Sequence, residues 1–169
     1  MKYMNIILIL LLTILTAITR LAPHPPNFTP LLSIAMFCGL IFNHRLSFCI
    51  PLSAMILSDL WIGFYDVLFF VYLPLLFVFV IGYQFKKSIN FKNIFMMSLS
   101  SSLIFFIVSN FGVWLIGYPK TISGLYVCYI SAIPFFHSTL ISTLMYSSIF
   151  LFVYKYLTSN NLVLYKKTK

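Results

Sequence analysis

The chain has 169 residues, of which 62% are hydrophobic and only 8% are charged, and its mean hydropathy is +1.03. Soluble domains are roughly half apolar and about a quarter charged, so this composition excludes an ordinary water-soluble domain. In lipid, unpaired backbone groups are so costly that only helices and closed barrels span the bilayer. Barrel strands alternate apolar and polar residues, whereas this sequence contains continuous apolar runs. It predicts an all-α, polytopic membrane helix bundle, with residues 1–169 forming a single transmembrane domain.

Six apolar segments predict about six transmembrane helices, since a helical span needs about 20 apolar residues. The first segment also resembles the apolar core of a signal peptide, but no small-residue cleavage site follows it, and Arg20 and a run of prolines come directly after it. We therefore interpret it as a span. In chain order the segments are Met4–Thr19, Pro30–Phe42, Leu46–Ile62, Val67–Tyr83, Asn93–Ile116 and Ile133–Leu157.

The start of the last span is the least certain feature of this assignment. The apolar stretch extends back to Leu125, but a helix from there would be far longer than a bilayer requires. Pro134 lacks a backbone donor and clashes with the preceding turn of a helix. We therefore expect the helix to break at Pro134, and Tyr118–Ala132 to form an outer segment that dips into the membrane.

The positions of lysine and arginine predict the orientation, because cytoplasmic loops are enriched in both. With six spans, two basic residues, Arg20 and Lys120, fall on one side of the membrane and nine on the other. We therefore predict a protein of the cell inner (cytoplasmic) membrane, with both termini cytoplasmic and the lipid bilayer as a partner. Nucleic acid is excluded as a partner, because the chain lacks a solvated basic domain. The nine basic residues on the predicted cytoplasmic side are Lys2, Arg45, Lys86, Lys87, Lys92, Lys155, Lys166, Lys167 and Lys169.

The sequence contains no motif for enzymatic chemistry. It has no phosphate-binding loop, no G-x-S-x-G, no H-E-x-x-H and no glycine-rich dinucleotide turn. The three cysteines imply no disulfide framework, and the three histidines lack metal-ligand spacing. We therefore expect no enzymatic activity, no cofactor and no metal site.

Several polar residues are expected to share one layer near the outer ends of the spans, where they would contact a ligand. Each has a structural alternative: Arg20 as an interfacial arginine, Trp114 as a membrane-interface anchor, Asn110 as a bond between helices, and His137 as a buried bundle histidine. The layer consists of Arg20, His24, Asn27, Asp59, Asn110, Trp114, Tyr118 and His137.

Asp59 is the member of this layer that is hardest to explain structurally. It is one of two acids in the chain, and ionisable residues within spans are costly and usually face a partner, a cavity or an ion path. Arg20, at the same height, is the expected counter-ion. Whether this pair is structural or binds a ligand is left open by the sequence.

Five sequence motifs together resemble a family of small six-helix transport-type proteins of unknown substrate. That family is similar to the substrate-binding S-components of energy-coupling-factor vitamin transporters. The resemblance implies a cavity that opens to the outer face under the outer loops. The motifs are Arg20–Pro30 (RLAPHPPNFTP), Ser58–Leu60 (SDL), Ser109–Trp114 (SNFGVW), Tyr118-Pro119 and Ile133–Phe136 (IPFF).

The same resemblance implies a partner, a transmembrane energising subunit that works with ATPases. S-components dock to this subunit through an Ala-x-x-x-Ala face on the first helix. This chain has Thr13-x-x-x-Ala17 there, and Ala35-x-x-x-Gly39 on the second span. Small residues at such positions allow two helix backbones to approach closely.

The sequence thus predicts a membrane substrate-binding or transport protein that captures a small molecule, similar to a vitamin or cofactor precursor, from the outer face. The alternative is a structural scaffold subunit of a larger complex, of the rod-shape-complex type. In that case the polar groups would only hold the helices together.

Overall fold

The computed structural model describes residues 13–42, 45–86 and 88–159. Within these ranges it has six α-helices and no strand, which confirms the predicted all-α fold. The start of the first span and the side chains of Lys2, His44, Lys87, Lys166, Lys167 and Lys169 lie outside the described residues. The helices are α1 (13–21), α2 (Leu31–Ile41), α3 (Cys49–Ile62), α4 (Leu68–Phe85), α5 (Phe91–Gly117) and α6 (Ile122–Ser159), and a 3-10 turn, Arg45–Phe48, leads into α3.

Among the described helices, α4, α5 and α6 are long and apolar enough to cross a membrane. Their outward surfaces are apolar and exposed, with Phe77 on α4, Ile107 on α5 and Phe152 on α6 as examples. A soluble monomer rarely exposes apolar patches of this extent, so these surfaces suit lipid. The described helices are therefore those of a membrane protein.

The short helix α2 occupies the centre of the bundle. Its 11 residues rise about 16 Å, roughly half the hydrocarbon thickness of a bilayer. All of its residues from Leu31 to Leu40 are buried, by packing against α3, α4, α5 and α6. A helix that is apolar on every side is typical of such a buried position.

Two glycines allow α2 and α4 to pack with their backbones in contact. A Cβ atom on Gly39 would lie 2.2 Å from the carbonyl oxygen of Phe79, and one on Gly82 would lie 2.1 Å from that of Met36. The Ala35–Gly39 face expected to dock a partner is therefore covered by α4 within the chain, with Ala35 fully buried.

The other small-residue face, on α1, is also covered within the chain. Thr13 and Ala17 are 5% and 7% exposed, and the Thr13 hydroxyl lies 3.5 Å from that of Ser53 on α3. Neither small-residue face is therefore exposed for docking in the part of the chain that the structure describes. Both faces serve the packing of the bundle itself.

The expected break at Pro134 is also wrong, because α6 continues through this proline for 38 residues, or about 57 Å. Only residues 118–121 form a turn, and the rest of the predicted outer segment is helical. Packing against α5 bridges the proline: the Phe106 ring centroid lies 5.5 Å from that of Tyr129 and 5.0 Å from that of Phe136. These contacts on both sides of Pro134 hold the two halves of α6 against the same helix, although the proline removes one backbone hydrogen bond.

Candidate ligand-binding cavity

A cavity of about 450 Å³ lies at the end of the bundle where α1, α3 and α5 end and α2 and α4 begin. This size falls in the range of small-molecule sites. Its wall mixes polar and aromatic side chains with aliphatic ones. The polar and aromatic members are Arg20, His24, Asn27, Thr29, Tyr65, Phe105, Phe106, Ser109, Asn110, Tyr118, Ser131, Phe135, Phe136 and Thr139.

Arg20 joins the end of α1 to α3 at the cavity wall. Its Nη1 atom lies 2.9 Å from Oδ1 of Asp59, so the expected ion pair is present. The same nitrogen donates to the Ser58 hydroxyl and, at 3.3 Å, to the carbonyl oxygen of Met55. The Arg20 side chain is 13% exposed and that of Asp59 is fully buried. The cavity is therefore lined by the cation of the pair, and the carboxylate lies behind it.

The second oxygen of Asp59 accepts a hydrogen bond from α4. The Tyr72 hydroxyl donates to Oδ2 of Asp59 at a distance of 2.7 Å. Asp59 thereby connects α1, α3 and α4. Buried charges are retained in proteins when they are paired and hydrogen-bonded. In this carboxylate, Oδ2 accepts a hydrogen bond from Tyr72, and Oδ1 is paired with Arg20 by charge, without a hydrogen bond of regular geometry.

Tyr65, in the loop between α3 and α4, adds a hydroxyl group to the cavity wall. Burial raises the pKa of this phenol above its ordinary value, and the negative charge of Asp59 raises it further, while Arg20 opposes both effects. Tyr65 is therefore a neutral hydrogen-bonding group at physiological pH.

The proline-rich connection between α1 and α2 forms one side of the cavity. Phe28 N donates to Pro25 O at 3.0 Å, and Asn27 has φ of +61°, as in a type II turn, where the third residue needs positive φ and is commonly glycine or asparagine. On α6, Ser138 donates to Pro26 O at 2.6 Å and Ser142 to Asn27 O at 3.4 Å.

Within this connection, His24 is held by backbone carbonyl groups. Its Nδ1 lies 2.8 Å from Pro25 O and its Nε2 lies 3.2 Å from Arg20 O. These contacts, together with the turn at Asn27, place both predicted residues on the cavity wall.

The end of α5 brings two predicted residues to the cavity. Asn110 lines it while its Nδ2 donates to Phe106 O of the same helix at 2.8 Å. Tyr118, the first residue after α5, lines it as well. The cavity wall therefore includes Arg20, His24, Asn27, Asn110 and Tyr118 from the predicted set.

Trp114 and His137 do not line the cavity, although both were expected there. The Trp114 indole donates to Pro119 O at 3.1 Å, and the Lys120 ammonium donates to Trp114 O at 2.9 Å and to Tyr118 O at 3.0 Å. These bonds connect the last turn of α5 with the turn that leads into α6. His137 is exposed on α6, beside Phe136.

Sequence reasoning missed Tyr65, Tyr72 and the four phenylalanines of the wall. Because 19% of the chain is aromatic, the sequence alone does not distinguish an aromatic residue of the cavity wall from one that faces lipid or the core. The position of Tyr65 beside Asp66, between two spans, was the one local indication of a polar environment.

A family of unknown function (DUF6580) matches residues 2–164 of the chain. No curated protein and no solved structure matches the chain significantly.

Proposed function

The chain belongs to this family of unknown function, and from that premise we propose that it is a membrane protein that binds a small molecule in the cavity and takes it up from the outer face. The observation that carries the proposal is an arginine held at the wall of a cavity by a fully buried acid. A bundle that needed only cohesion could fill this space with apolar side chains at less electrostatic cost.

The position of the cavity in the bundle supports capture from outside. In the orientation that the basic residues predict, the end holding the cavity carries Arg20 and Lys120, and the opposite end carries Lys86, Lys92 and Lys155. Cytoplasmic loops are the ones enriched in basic residues. The proposed location is therefore the cytoplasmic membrane, with the cavity facing away from the cytoplasm.

Energisation by a second protein is part of this proposal. The sequence contains no nucleotide-binding motif, so the energy for uptake would come from a transmembrane partner with its own ATPases, as the similarity to S-components implies. The buried faces at Thr13–Ala17 and Ala35–Gly39 are not available for such a partner. The proposal assigns the chain itself no catalytic step.

A thermal-shift screen of the purified protein against a metabolite library tests the proposal. A compound that binds the folded state at a hundredfold excess over its dissociation constant stabilises it by about 2.7 kcal/mol. A scaffold subunit has no such ligand. If no metabolite raises the unfolding temperature, the scaffold hypothesis replaces ours.

Two substitutions locate the binding site of any compound the screen finds. Asn110→Ala removes a cavity amide and should weaken binding by about 1–3 kcal/mol. His137→Ala alters an exposed residue outside the cavity and should leave the affinity unchanged. Equal affinities of both variants and the unmodified protein, measured by titration calorimetry, would place the ligand elsewhere.

A further inference from the structure

We infer that the cavity accepts a planar aromatic molecule with one negatively charged group, and that Arg20 contacts that group. The inference rests on the proposed function and adds the chemical class of the ligand. It depends on three properties of the wall: its charge, its donors and its rings.

The charge of the wall selects the charge of the ligand. Among the described residues that line the cavity, no aspartate, glutamate or lysine occurs, and Arg20 is the single arginine. Its counter-ion, Asp59, is fully buried on the far side of the guanidinium. A bound molecule therefore meets the positive partner first, and a cation would lie against Arg20 with no accessible acid to compensate it.

The donors of the wall favour a single carboxylate. Nη1 of Arg20 is directed at α3, where it contacts Asp59, Ser58 and Met55. A guanidinium carries five N–H donors in a planar fork, which matches the two oxygens of a carboxylate. The neutral Tyr65 hydroxyl lines the same cavity. A phosphate dianion would need a second positive charge. Apart from the imidazole of His24, whose nitrogens are directed at the carbonyl groups of Pro25 and Arg20, no other described side chain of the wall could supply one.

The rings of the wall favour an aromatic body for the ligand. Phe105 and Phe106 reach the cavity from α5, and Phe135 and Phe136 reach it from α6. Aromatic rings attract one another in offset-stacked or edge-to-face arrangements beyond the effect of buried area. Phe106 and Phe136 contact each other, with ring centroids 5.0 Å apart, so a planar ring would lie against the wall that the two helices share and contact phenylalanine from both. The Asn110 amide lies on the same wall for a hydrogen bond with a ring substituent.

Matched pairs of probes test charge and aromaticity separately on the full-length protein in lipid nanodiscs. The pairs are benzoate with benzamide, indole-3-acetate with indole-3-acetamide, and 2-naphthoate with 2-naphthamide. Tryptamine tests a cation, cyclohexylacetate an aliphatic acid and phenyl phosphate a dianion. We expect at least one aromatic acid to bind about tenfold to a hundredfold more tightly than its amide, since a charged hydrogen bond contributes more than a neutral one.

A paired substitution tests the assignment to Arg20 without leaving a buried charge. The Arg20→Gln/Asp59→Asn double variant removes both charges and keeps polar side chains of similar shape. We expect its acid-to-amide affinity ratio to fall to about one, since the charge-assisted contact is lost, while amide binding is retained. Lys120→Gln removes a cation at the same end of the bundle but outside the cavity, and it should leave the ratio unchanged.

Each outcome has a distinct meaning. An unchanged ratio in the double variant overturns the role of Arg20, and tighter binding of tryptamine, phenyl phosphate or cyclohexylacetate overturns the ligand class. The class is also overturned if no aromatic acid binds while the metabolite library yields another ligand. The proposed function fails with it only if the library yields none.

Discussion

At the scale of single residues, Asp59 is the position where a small change should cost the most stability. Asp59→Asn leaves the Arg20 guanidinium, only 13% exposed, without its counter-ion, and breaking such a pair costs about 3–5 kcal/mol. Tyr72→Phe removes one hydrogen bond to the same carboxylate and should cost about 1–3 kcal/mol. Unfolding in detergent, monitored by circular dichroism, measures both losses.

The other acid of the chain provides the control for this comparison. Asp66 is exposed in the loop between α3 and α4, so Asp66→Asn should change the free energy of unfolding by less than about 0.5 kcal/mol. The Arg20→Gln/Asp59→Asn double variant should be more stable than Asp59→Asn alone. If Asp59→Asn and Asp66→Asn unfold alike, the ion pair does not support the fold.

The same residues show what the sequence could predict about the site. The heights of Arg20 and Asp59 follow from the helical rise of 1.5 Å per residue, so their pairing was predictable. The direction in which a side chain faces depends on the rotation of its helix against its neighbours. In uniformly apolar helices no polar face fixes that rotation. For this reason Trp114 and His137 were expected at the cavity and lie outside it, and Tyr72 was missed.

At the scale of helices, the contact of α2 with α4 should be the least tolerant of added volume. A methyl group on Gly39 or Gly82 would collide with a backbone carbonyl of the facing helix, and backbone cannot move aside as a flexible side chain can. Gly39→Ala and Gly82→Ala should each destabilise the protein by about 1–3 kcal/mol through overpacking. The midpoint of thermal unfolding reports the loss.

Gly117, at the end of α5, is the matched control, because a Cβ atom there meets nothing within 4 Å. Alanine is also the better helix former, so Gly117→Ala should be neutral or stabilising. A loss at Gly117 as large as that at Gly39 would show that the glycines act through backbone flexibility. The sequence contains both glycines, but the contact of Gly39 with α4 and of Gly82 with α2 depends on the packing of the whole bundle.

At the scale of the whole molecule, the presence of the helices was predictable from the sequence, whereas the length of α6 was not. Apolar runs predicted all six helices, because hydrophobicity alone determines where a chain leaves water. The length of α6 was not predictable from Pro134, since a proline is tolerated in a membrane helix when its neighbours compensate for the lost bond. Here Phe106 on α5 contacts α6 on both sides of Pro134, so tertiary packing rather than the local sequence holds the helix continuous.

The orientation of this bundle is the remaining prediction, and it determines whether the cavity faces outward. Single cysteines at Ser88, before α5, and at Ser123, at the start of α6, would mark its two ends. Cys38, Cys49 and Cys128 would first be replaced by serine. In intact cells, a membrane-impermeant maleimide should label Ser123→Cys from outside and Ser88→Cys only after permeabilisation, because cytoplasmic loops carry the basic residues.

The labelling could contradict the predicted orientation in two ways, and their consequences differ. Labelling of both positions from the same side would mean that α5, with 27 residues, does not cross the membrane, and the bundle as described could not be inserted through it. Labelling with the sides exchanged would keep the fold but turn the cavity toward the cytoplasm. Arg20 would then face an intracellular compound, and the direction of the proposed uptake would have to be reversed into export or sensing.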